Sequence, residues 1–322
     1  MPLITDSTFR AGFFFKNPHL QTIFPSIFRK VGFSYQKRSS LTTQDNDFID
    51  LDSKSHLKNS SATLLLHGLE SSSQSTYIKG IAQNLYEQNN DIYCLNFRGC
   101  SGRPNNRIRS YHSGDTNDIC LALEYIRKEK DYQNINLVGF SLGGNALLKY
   151  LGLAASESKI HKAVAISVPC DLKSSAHSLS KLKNRIYMSR FMRMLIKKIY
   201  EKSVRFPEKI KYSQFKKMKT FAEFDEHYTA KYHGFSSALH YWESCSANNF
   251  IPSIQTPTLL INALDDPFLA NPCFPIELAQ RNSQFYLETP KQGGHVGFLN
   301  QLQQKSYWHE SRICDFLSIS SS

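Results

Sequence analysis

The sequence predicts an α/β fold in which helices cover both faces of a mostly parallel sheet of eight strands. From residue 61 onward, short apolar runs rich in β-branched residues alternate with stretches of helical periodicity. Runs that are apolar on both faces are typical of parallel strands buried from two sides by helices. The chain has 322 residues, of which 41% are hydrophobic and 20% charged, and this composition excludes disordered and fibrous proteins.

The same alternation predicts the individual elements in chain order. Residues 32–37 and 48–51 are predicted to form a leading antiparallel pair of strands. Further strands are predicted at 62–66, 92–97, 135–140, 163–168, 258–264 and 284–287, and helices at 77–86, 115–127, 145–153, 276–280 and 299–316. Because the sequence contains no internal repeat, we expect one domain over residues 1–322.

A long insertion separates the predicted strands at 163–168 and 258–264. Within it, apolar residues recur at helical spacing with Lys and Arg on the other face: Leu182, Ile186, Met192, Leu195, Ile196 and Ile199. The sequence therefore predicts a helical cap at residues 170–245, inserted before the strand at 258–264. Residues 1–169 and 246–322 are the predicted core.

The positive charge of the chain is concentrated in this cap. Residues 171–220 contain 15 Lys and Arg and 3 Asp and Glu, a net charge of 15 − 3 = +12, which equals the formal charge of the whole chain. The remaining residues carry 39 − 15 = 24 basic and 27 − 3 = 24 acidic groups and are neutral. The high overall charge is thus a property of one segment and does not indicate a nucleic-acid-binding protein.

Three interpretations of the basic cap stay open at this point. The first is a solvated face without a partner. The second is an amphipathic surface that contacts an anionic membrane, and the third is a patch that binds nucleic acid. No recognition motif accompanies the charge, so we expect no specific binding of nucleic acid. A non-catalytic module that binds a membrane or nucleic acid through the cap is the alternative from another class of function.

Cysteine usage and hydropathy indicate the compartment. The seven cysteines occur singly, without a Cys-x-x-Cys pair, which argues against a disulfide framework and against a zinc site. No apolar run approaches the roughly 20 residues that span a bilayer, and the run at 11–15 is too short for a signal-peptide core. We expect a cytoplasmic protein, peripheral at the membrane if the cap contacts lipid, with no metal and no cofactor.

One motif indicates a nucleophile. Residues 136–145 read NLVGFSLGGN, which places Gly-x-Ser-x-Gly between a predicted strand and a predicted helix. In this context the motif is typical of a catalytic serine at a sharp strand-to-helix turn. Gly139 and Gly143 permit the turn, so we expect Ser141 at the carboxyl edge of the sheet with its hydroxyl exposed.

A serine hydroxyl needs a base, and the base needs an orienting acid. The expected base is His295, in the Gly-rich loop at 293–297, because the order in such a fold is Ser, acid, His. The expected acid is Asp266, which begins the loop after a predicted strand, and its neighbour Asp265 is the alternative.

Backbone amides are the expected donors to an oxyanion. One is the amide of Leu142, directly after Ser141, and the other is the amide of Leu69, in the loop after the strand at 62–66. We assign His67 to shaping that loop, without a role in proton transfer.

Seven segments in this order resemble the YheT-like hydrolases of the α/β-hydrolase superfamily, also described as the AB hydrolase 4 type: residues 17–22, 67–70, 96–102, 111–116, 139–145, 262–268 and 293–298. The resemblance implies a serine esterase that cleaves acyl or lipid-like carboxylic esters through an acyl-enzyme. It places Ser141, Asp266 and His295 at the motif positions of the triad. Some eukaryotic relatives transfer the acyl group to an alcohol, which is the alternative reaction. The family usually has Gly where this chain has Ser71, so we expect a stiffer oxyanion loop.

Overall fold

The computed structural model describes residues 2–301 and 304–318. Within that part of the chain the strands are β1 (Leu3–Ile4), β2 (Lys37–Thr42), β3 (Phe48–Lys54), β4 (Ser61–Leu66), β5 (Asp91–Asn96), β6 (Asn134–Phe140), β7 (Ala163–Ile166), β8 (Thr258–Ile261) and β9 (Phe285–Glu288). They form one sheet in the order β1-β9-β8-β7-β6-β4-β5-β3-β2. In this sheet order, all neighbouring strands from β1 across to β5 pair in parallel. At the far edge, β3 pairs antiparallel with β5, and β2 pairs antiparallel with β3.

The mostly parallel sheet is confirmed, with nine strands in place of the predicted eight. The additional strand is β1, whose two residues pair with Leu287 and Glu288 and are too few to give a recognisable alternation. The first strand of the antiparallel pair is β2, so the prediction of residues 32–37 was wrong. Its sequence, KRSSLT, is mostly exposed and carries little apolar signal.

The α-helices of the described residues are α1 (Pro18–Phe28), α2 (Thr76–Glu87), α3 (Asn117–Glu129), α4 (Leu142–Ala154), α5 (Leu172–Ser180), α6 (Arg185–Arg205), α7 (Tyr212–Phe215), α8 (Phe221–Phe224), α9 (Lys231–His233), α10 (Ala238–Cys245), α11 (Ile276–Arg281) and α12 (Trp308–Ser318). Buried residues of α3, α4 and α11 pack on one face of the sheet. Those of α2 and α12 pack on the other face. The sheet is thus covered on both sides.

The closing helix is shorter than the predicted segment 299–316. It begins at Trp308, and residues 302–303 of the predicted segment lie outside the described residues. At the start of that segment, the side chain of Gln21 accepts a hydrogen bond from the Leu299 N–H at 2.6 Å and donates one to its carbonyl at 2.9 Å. Because a side chain from α1 occupies both backbone groups, Leu299 lies in a loop.

Between β7 and β8 lie helices α5 to α10, all within residues 170–245, together with a π-helical turn at Asp225–Ala230. These elements bury an apolar cluster of their own, which includes Met192, Leu195 and Ile199 of α6. The first two members of the apolar stripe lie outside this cluster, since Leu182 is 81% and Ile186 73% exposed. The division of the chain into core and cap stays a prediction.

The carboxyl ends of β4, β6 and β8 lie at one edge of the sheet, because these strands are parallel. The segments that follow these three strands carry Leu69, Ser141 and Asp266. The loop after β9, which is parallel to β8, carries His295. None of the helices in the described part of the chain is both long enough and apolar enough to cross a membrane.

Candidate active site

Ser141 occupies a strained turn between β6 and α4. Its backbone has φ +50° and ψ −119°, a conformation that residues other than glycine rarely adopt. A Cβ on Gly139 would lie 2.8 Å from the Gly143 carbonyl oxygen, and one on Gly143 would lie 2.5 Å from the His67 oxygen. The two glycines therefore permit the tight approach of strand, helix and neighbouring loop that this turn requires.

A chain of two hydrogen bonds begins at this serine. Ser141 Oγ lies 3.0 Å from His295 Nε2, and His295 Nδ1 lies 2.8 Å from Asp266 Oδ2. An ionised carboxylate only accepts hydrogen bonds, so the neutral tautomer with its proton on Nδ1 fits both contacts. The Asp266 side chain is fully buried, and its other oxygen accepts a hydrogen bond from the Phe268 N–H at 2.9 Å.

Asp265, the alternative acid, has another set of contacts. Its Oδ1 accepts a hydrogen bond from the Gly294 N–H at 2.9 Å, whereas its Oδ2 has no partner among the described residues. Burial raises the pKa of the Asp265 carboxyl to about 6. Of the two acids that the sequence left open, the structure brings Asp266 to the imidazole, while Asp265 holds the backbone next to it.

Two further side chains hold the loop that carries His295. The His295 N–H donates to Thr22 Oγ1 at 2.9 Å, and the Val296 N–H donates to Ser167 Oγ at 2.9 Å. Neither hydroxyl was predicted to take part in the site. For Thr22 the available signal was its place in the motif at residues 17–22. Ser167 directly follows β7, which pairs with β6, and no motif points to it.

The two expected oxyanion donors lie in segments next to the nucleophile. In the described residues, neither the Leu69 nor the Leu142 backbone N–H donates a hydrogen bond to another group of the protein. A Cβ on Gly68 would lie 3.3 Å from the Ser141 Cβ, which shows how closely the loop after β4 passes the serine. Both amides are free to bind a substrate oxygen, and their role stays a prediction.

His67 fixes the start of this loop. Its Nε2 accepts a hydrogen bond from the Phe97 N–H at 3.1 Å, so its Nδ1 carries the proton and donates it to the Gly68 carbonyl at 2.7 Å. Burial lowers the pKa of His67 to about 4, which keeps the ring neutral. The contacts agree with the role of shaping the loop.

Ser71, where the family usually has glycine, takes part in a second tether. The Tyr77 hydroxyl accepts a hydrogen bond from the Gly68 N–H at 2.9 Å and donates one to Ser71 Oγ at 2.7 Å. Ser71 Oγ is also bonded to Ser75 Oγ. The serine side chain thus adds hydrogen bonds that a glycine could not make, and such bonds restrict the motion of the loop.

The next residue of the loop, Glu70, joins it to the cap. Glu70 has φ +52°, and its N–H donates to the Tyr111 hydroxyl at 2.7 Å. Its carboxylate accepts hydrogen bonds from that hydroxyl at 2.9 Å and from Lys198 Nζ of α6 at 2.8 Å. The ion pair was not foreseen, because a lysine in a run of basic residues gives no signal of burial.

Ser141 and His295 line a cavity between the sheet edge and the cap, with about 1010 Å³ of empty space including its open mouth. Much of its wall is apolar and comes from both parts of the chain, including Leu69, Leu172, Leu179, Phe191, Leu195 and Phe268. In residues 2–301 and 304–318 no group of three or more His, Cys, Asp or Glu side chains is arranged to hold a metal ion.

Comparisons with known proteins agree with this architecture. The family model for the alpha/beta hydrolase fold matches residues 63–302. The protein named "Putative esterase YheT" from Escherichia coli (strain K12) is 34% identical, with 94% of this chain and 91% of that protein covered. A monoacylglycerol lipase from Saccharomyces cerevisiae is 29% identical over 80% of this chain, which spans 58% of the lipase.

Among solved structures, the esterase Pf2001 from Pyrococcus furiosus superposes with a TM-score of 0.57 at 18% identity, covering 88% of this chain and 91% of that one. At this identity the likeness concerns the fold alone. The sequence match to the family model and to the E. coli protein shows membership of the family as well as the fold. The chain belongs to the YheT-like hydrolases of the α/β-hydrolase fold family.

Proposed function

We propose that the protein is a serine esterase that cleaves carboxylic esters with acyl or lipid-like parts. The observation that carries the proposal is the continuous contact from Ser141 Oγ through the His295 ring to Asp266, with distances of 3.0 and 2.8 Å, at the wall of a largely apolar cavity. Relatives named esterase, monoacylglycerol lipase and phospholipase support this class of substrate.

The first half of the reaction forms an acyl-enzyme. His295 Nε2 takes the proton of Ser141 as its Oγ attacks the ester carbonyl carbon, and Asp266 stabilises the imidazolium that results. The Leu69 and Leu142 amides donate hydrogen bonds to the carbonyl oxygen as it becomes negatively charged. When the tetrahedral intermediate collapses, the alcohol oxygen leaves with the proton held by His295.

The second half reverses these steps with water. His295 takes a proton from a water molecule, the hydroxide attacks the acyl carbon, and the proton returns to Ser141 Oγ as the carboxylic acid leaves. The apolar wall of the cavity favours binding of an acyl chain, since each buried methylene contributes about 0.8 kcal/mol.

The direct test combines substitution with labelling. Ser141→Ala is expected to lower kcat for p-nitrophenyl esters of graded chain length by roughly 10⁴ to 10⁶-fold, with an unchanged thermal midpoint. A serine-directed phosphonate is expected to label the wild type and the control Ser189→Ala, which changes an exposed serine of α6. Turnover that survives in Ser141→Ala would exclude the proposed nucleophile.

We also propose contact between the cap and an anionic membrane. Of the 15 Lys and Arg in residues 171–220, all except Lys198 and Lys202 are exposed. Exposed apolar side chains lie among them, including Leu182, Ile186 and Val204, which is 66% exposed. Cations beside exposed apolar groups are typical of surfaces that bind anionic lipid. A cytoplasmic location, which rests on the cysteine pattern, stays a prediction.

A further inference from the structure

The cap contributes an acidic side chain to the cavity that the proposed reaction does not use. Asp225 begins the π-helical turn Asp225–Ala230 and lines the same cavity as Ser141 and His295. π-Helical turns are rare, and many of them occur at functional sites.

The Asp225 carboxylate is held by neutral donors only. Thr229 Oγ1 donates to its Oδ1 at 2.6 Å, and the Trp242 indole N–H donates to its Oδ2 at 2.9 Å. Each oxygen can accept at least one further hydrogen bond. None of the ion pairs formed within residues 2–301 and 304–318 includes Asp225. The carboxylate therefore faces the cavity without a positive partner.

Two other groups that line the cavity and can carry positive charge, Lys198 and His112, do not supply this charge. Lys198 is paired with Glu70 at 2.8 Å. Burial lowers the pKa of His112 to about 3, so that imidazole is neutral. Burial also raises the pKa of Asp225 to about 6, which leaves it mostly ionised at neutral pH. A negative charge partly removed from water without a counter-charge is unfavourable, and a cationic ligand relieves that penalty.

Aromatic side chains accompany the carboxylate. The same cavity is lined by Phe221, Phe224, Tyr228 and Trp242. The indole N–H of Trp242 donates a hydrogen bond to Asp225 directly. Aromatic faces attract organic cations, and several faces beside a carboxylate are a typical site for an ammonium group.

We propose that Asp225 and these aromatic side chains bind an ammonium group of the substrate, so that the enzyme prefers esters that carry an organic cation. The proposal rests on the proposed esterase function, because the ammonium group occupies the cavity that contains Ser141. Asp225 acts in binding and takes no part in proton transfer.

The test compares two esters of the same acyl chain that differ at one atom. The choline ester carries a quaternary nitrogen where the 3,3-dimethylbutyl ester carries carbon. For the wild type we expect kcat/KM to be about tenfold or more higher for the choline ester. In Asp225→Asn this ratio should fall to near one, and in Glu208→Gln, which removes an exposed carboxylate of the cap, it should stay at the wild-type value.

A ratio near one in the wild type would overturn the cation site while leaving the esterase intact, since both esters are then cleaved. A ratio that persists in Asp225→Asn, with a lower thermal midpoint, would assign Asp225 a structural role only. Calorimetric titration with tetramethylammonium chloride against sodium chloride tests the same site without turnover. Binding to the wild type that is lost in Asp225→Asn is expected, and no binding to either protein would overturn the proposal. If no ester is cleaved, the esterase function fails separately.

Discussion

Lys198 Nζ of the cap lies 2.8 Å from the Glu70 carboxylate, in the loop that also carries the Leu69 amide. The two side chains are 16% and 7% exposed, so the pair is largely removed from water. Glu70 directly follows Leu69 and has a positive φ, so its position fixes the direction of the adjacent backbone. The placement of the cap and the geometry of the loop that carries the Leu69 amide are thereby linked through one ion pair.

Removing one member of this pair leaves the other charge buried. We expect Lys198→Met to lower the free energy of unfolding by about 3 kcal/mol in urea titrations. If the Leu69 amide donates to the oxyanion as proposed, the variant should lower kcat more than it raises KM, because that hydrogen bond strengthens only as the reaction proceeds.

The double variant Lys198→Met, Glu70→Gln is the control for this effect. It removes both charges, so it should recover part of the lost stability, with a coupling free energy of about 1 to 3 kcal/mol. If the single variant unfolds at the wild-type urea concentration and turns over at the wild-type rate, the link between cap and loop is without consequence.

Adjacent aspartates provide a matched comparison at the proposed triad. We expect Asp266→Asn to lower kcat by roughly 10³ to 10⁴-fold, since His295 Nδ1 loses its carboxylate partner and the imidazolium its stabilisation. Asp265→Asn should have a much milder effect, because an amide oxygen can still accept the hydrogen bond from the Gly294 N–H. The reverse ranking in steady-state kinetics would transfer the role to Asp265.

The main elements of the candidate site could be predicted from the sequence because each has a local cause. The turn at Ser141 needs glycine at 139 and 143, and a loop acid after a buried strand is visible in one stretch of sequence. Contacts between distant segments leave no such trace. One partner of Asp225 is Trp242, 17 residues away, and the ion-pair partner of Lys198 is Glu70, 128 residues away.

The same limit applies to predicting the fold from the sequence. Strands buried on both faces, such as β4 and β6, are recognisable from their apolar runs. By contrast, Leu299 resembles the start of a helix, and only its two hydrogen bonds with Gln21, 278 residues away, place it in a loop. Lys202 resembles its exposed neighbours, yet its Nζ donates to Asn105 Oδ1 and the Arg107 carbonyl at 2.8 Å each, and burial lowers its pKa to about 7.

Buried histidines predict how stability depends on pH. Burial lowers the pKa of His67 to about 4 and those of His112 and His309 to about 3. In the unfolded chain a histidine takes up a proton near pH 6.5, whereas these rings stay neutral in the folded protein until the pH is much lower. The unfolded state therefore binds more protons between pH 6.5 and about 4, and the free energy of unfolding should fall as the pH is lowered through this range.

His309 allows one contribution to be isolated. Its ring is fully buried beside Phe140 and Phe298, and neither nitrogen has a hydrogen-bond partner among the described residues. We expect His309→Leu to reduce the slope of unfolding free energy against pH by up to about 1.4 kcal/mol per pH unit between pH 6 and 4. Urea titrations at several pH values measure this slope, and an unchanged slope would show that His309 does not bind a proton on unfolding.

The exposed cations of α6 should govern any binding to anionic lipid. Arg190, Arg193 and Lys197 are exposed, whereas Lys198 and Lys202 point to partners in the core and are unsuitable for this test. Each cation near an anionic surface contributes about 1 kcal/mol, so replacing these three with Gln should weaken partition into anionic vesicles about 100-fold. Co-sedimentation measures the partition.

The matched control changes three exposed lysines outside the cap, Lys58, Lys128 and Lys291, to Gln. It alters the net charge equally, so it should bind vesicles nearly as well as the wild type if the cap is the contact surface. Because the interaction is screened over a Debye length of about 8 Å at physiological salt, binding should weaken steeply as salt is raised, while hydrolysis of a short soluble ester should hardly change. If the wild type does not bind anionic vesicles at low salt, the cap is a solvated face without a lipid partner. Electrostatic attraction is strongest at low salt, so a surface with this much exposed charge must bind under that condition if lipid is its partner.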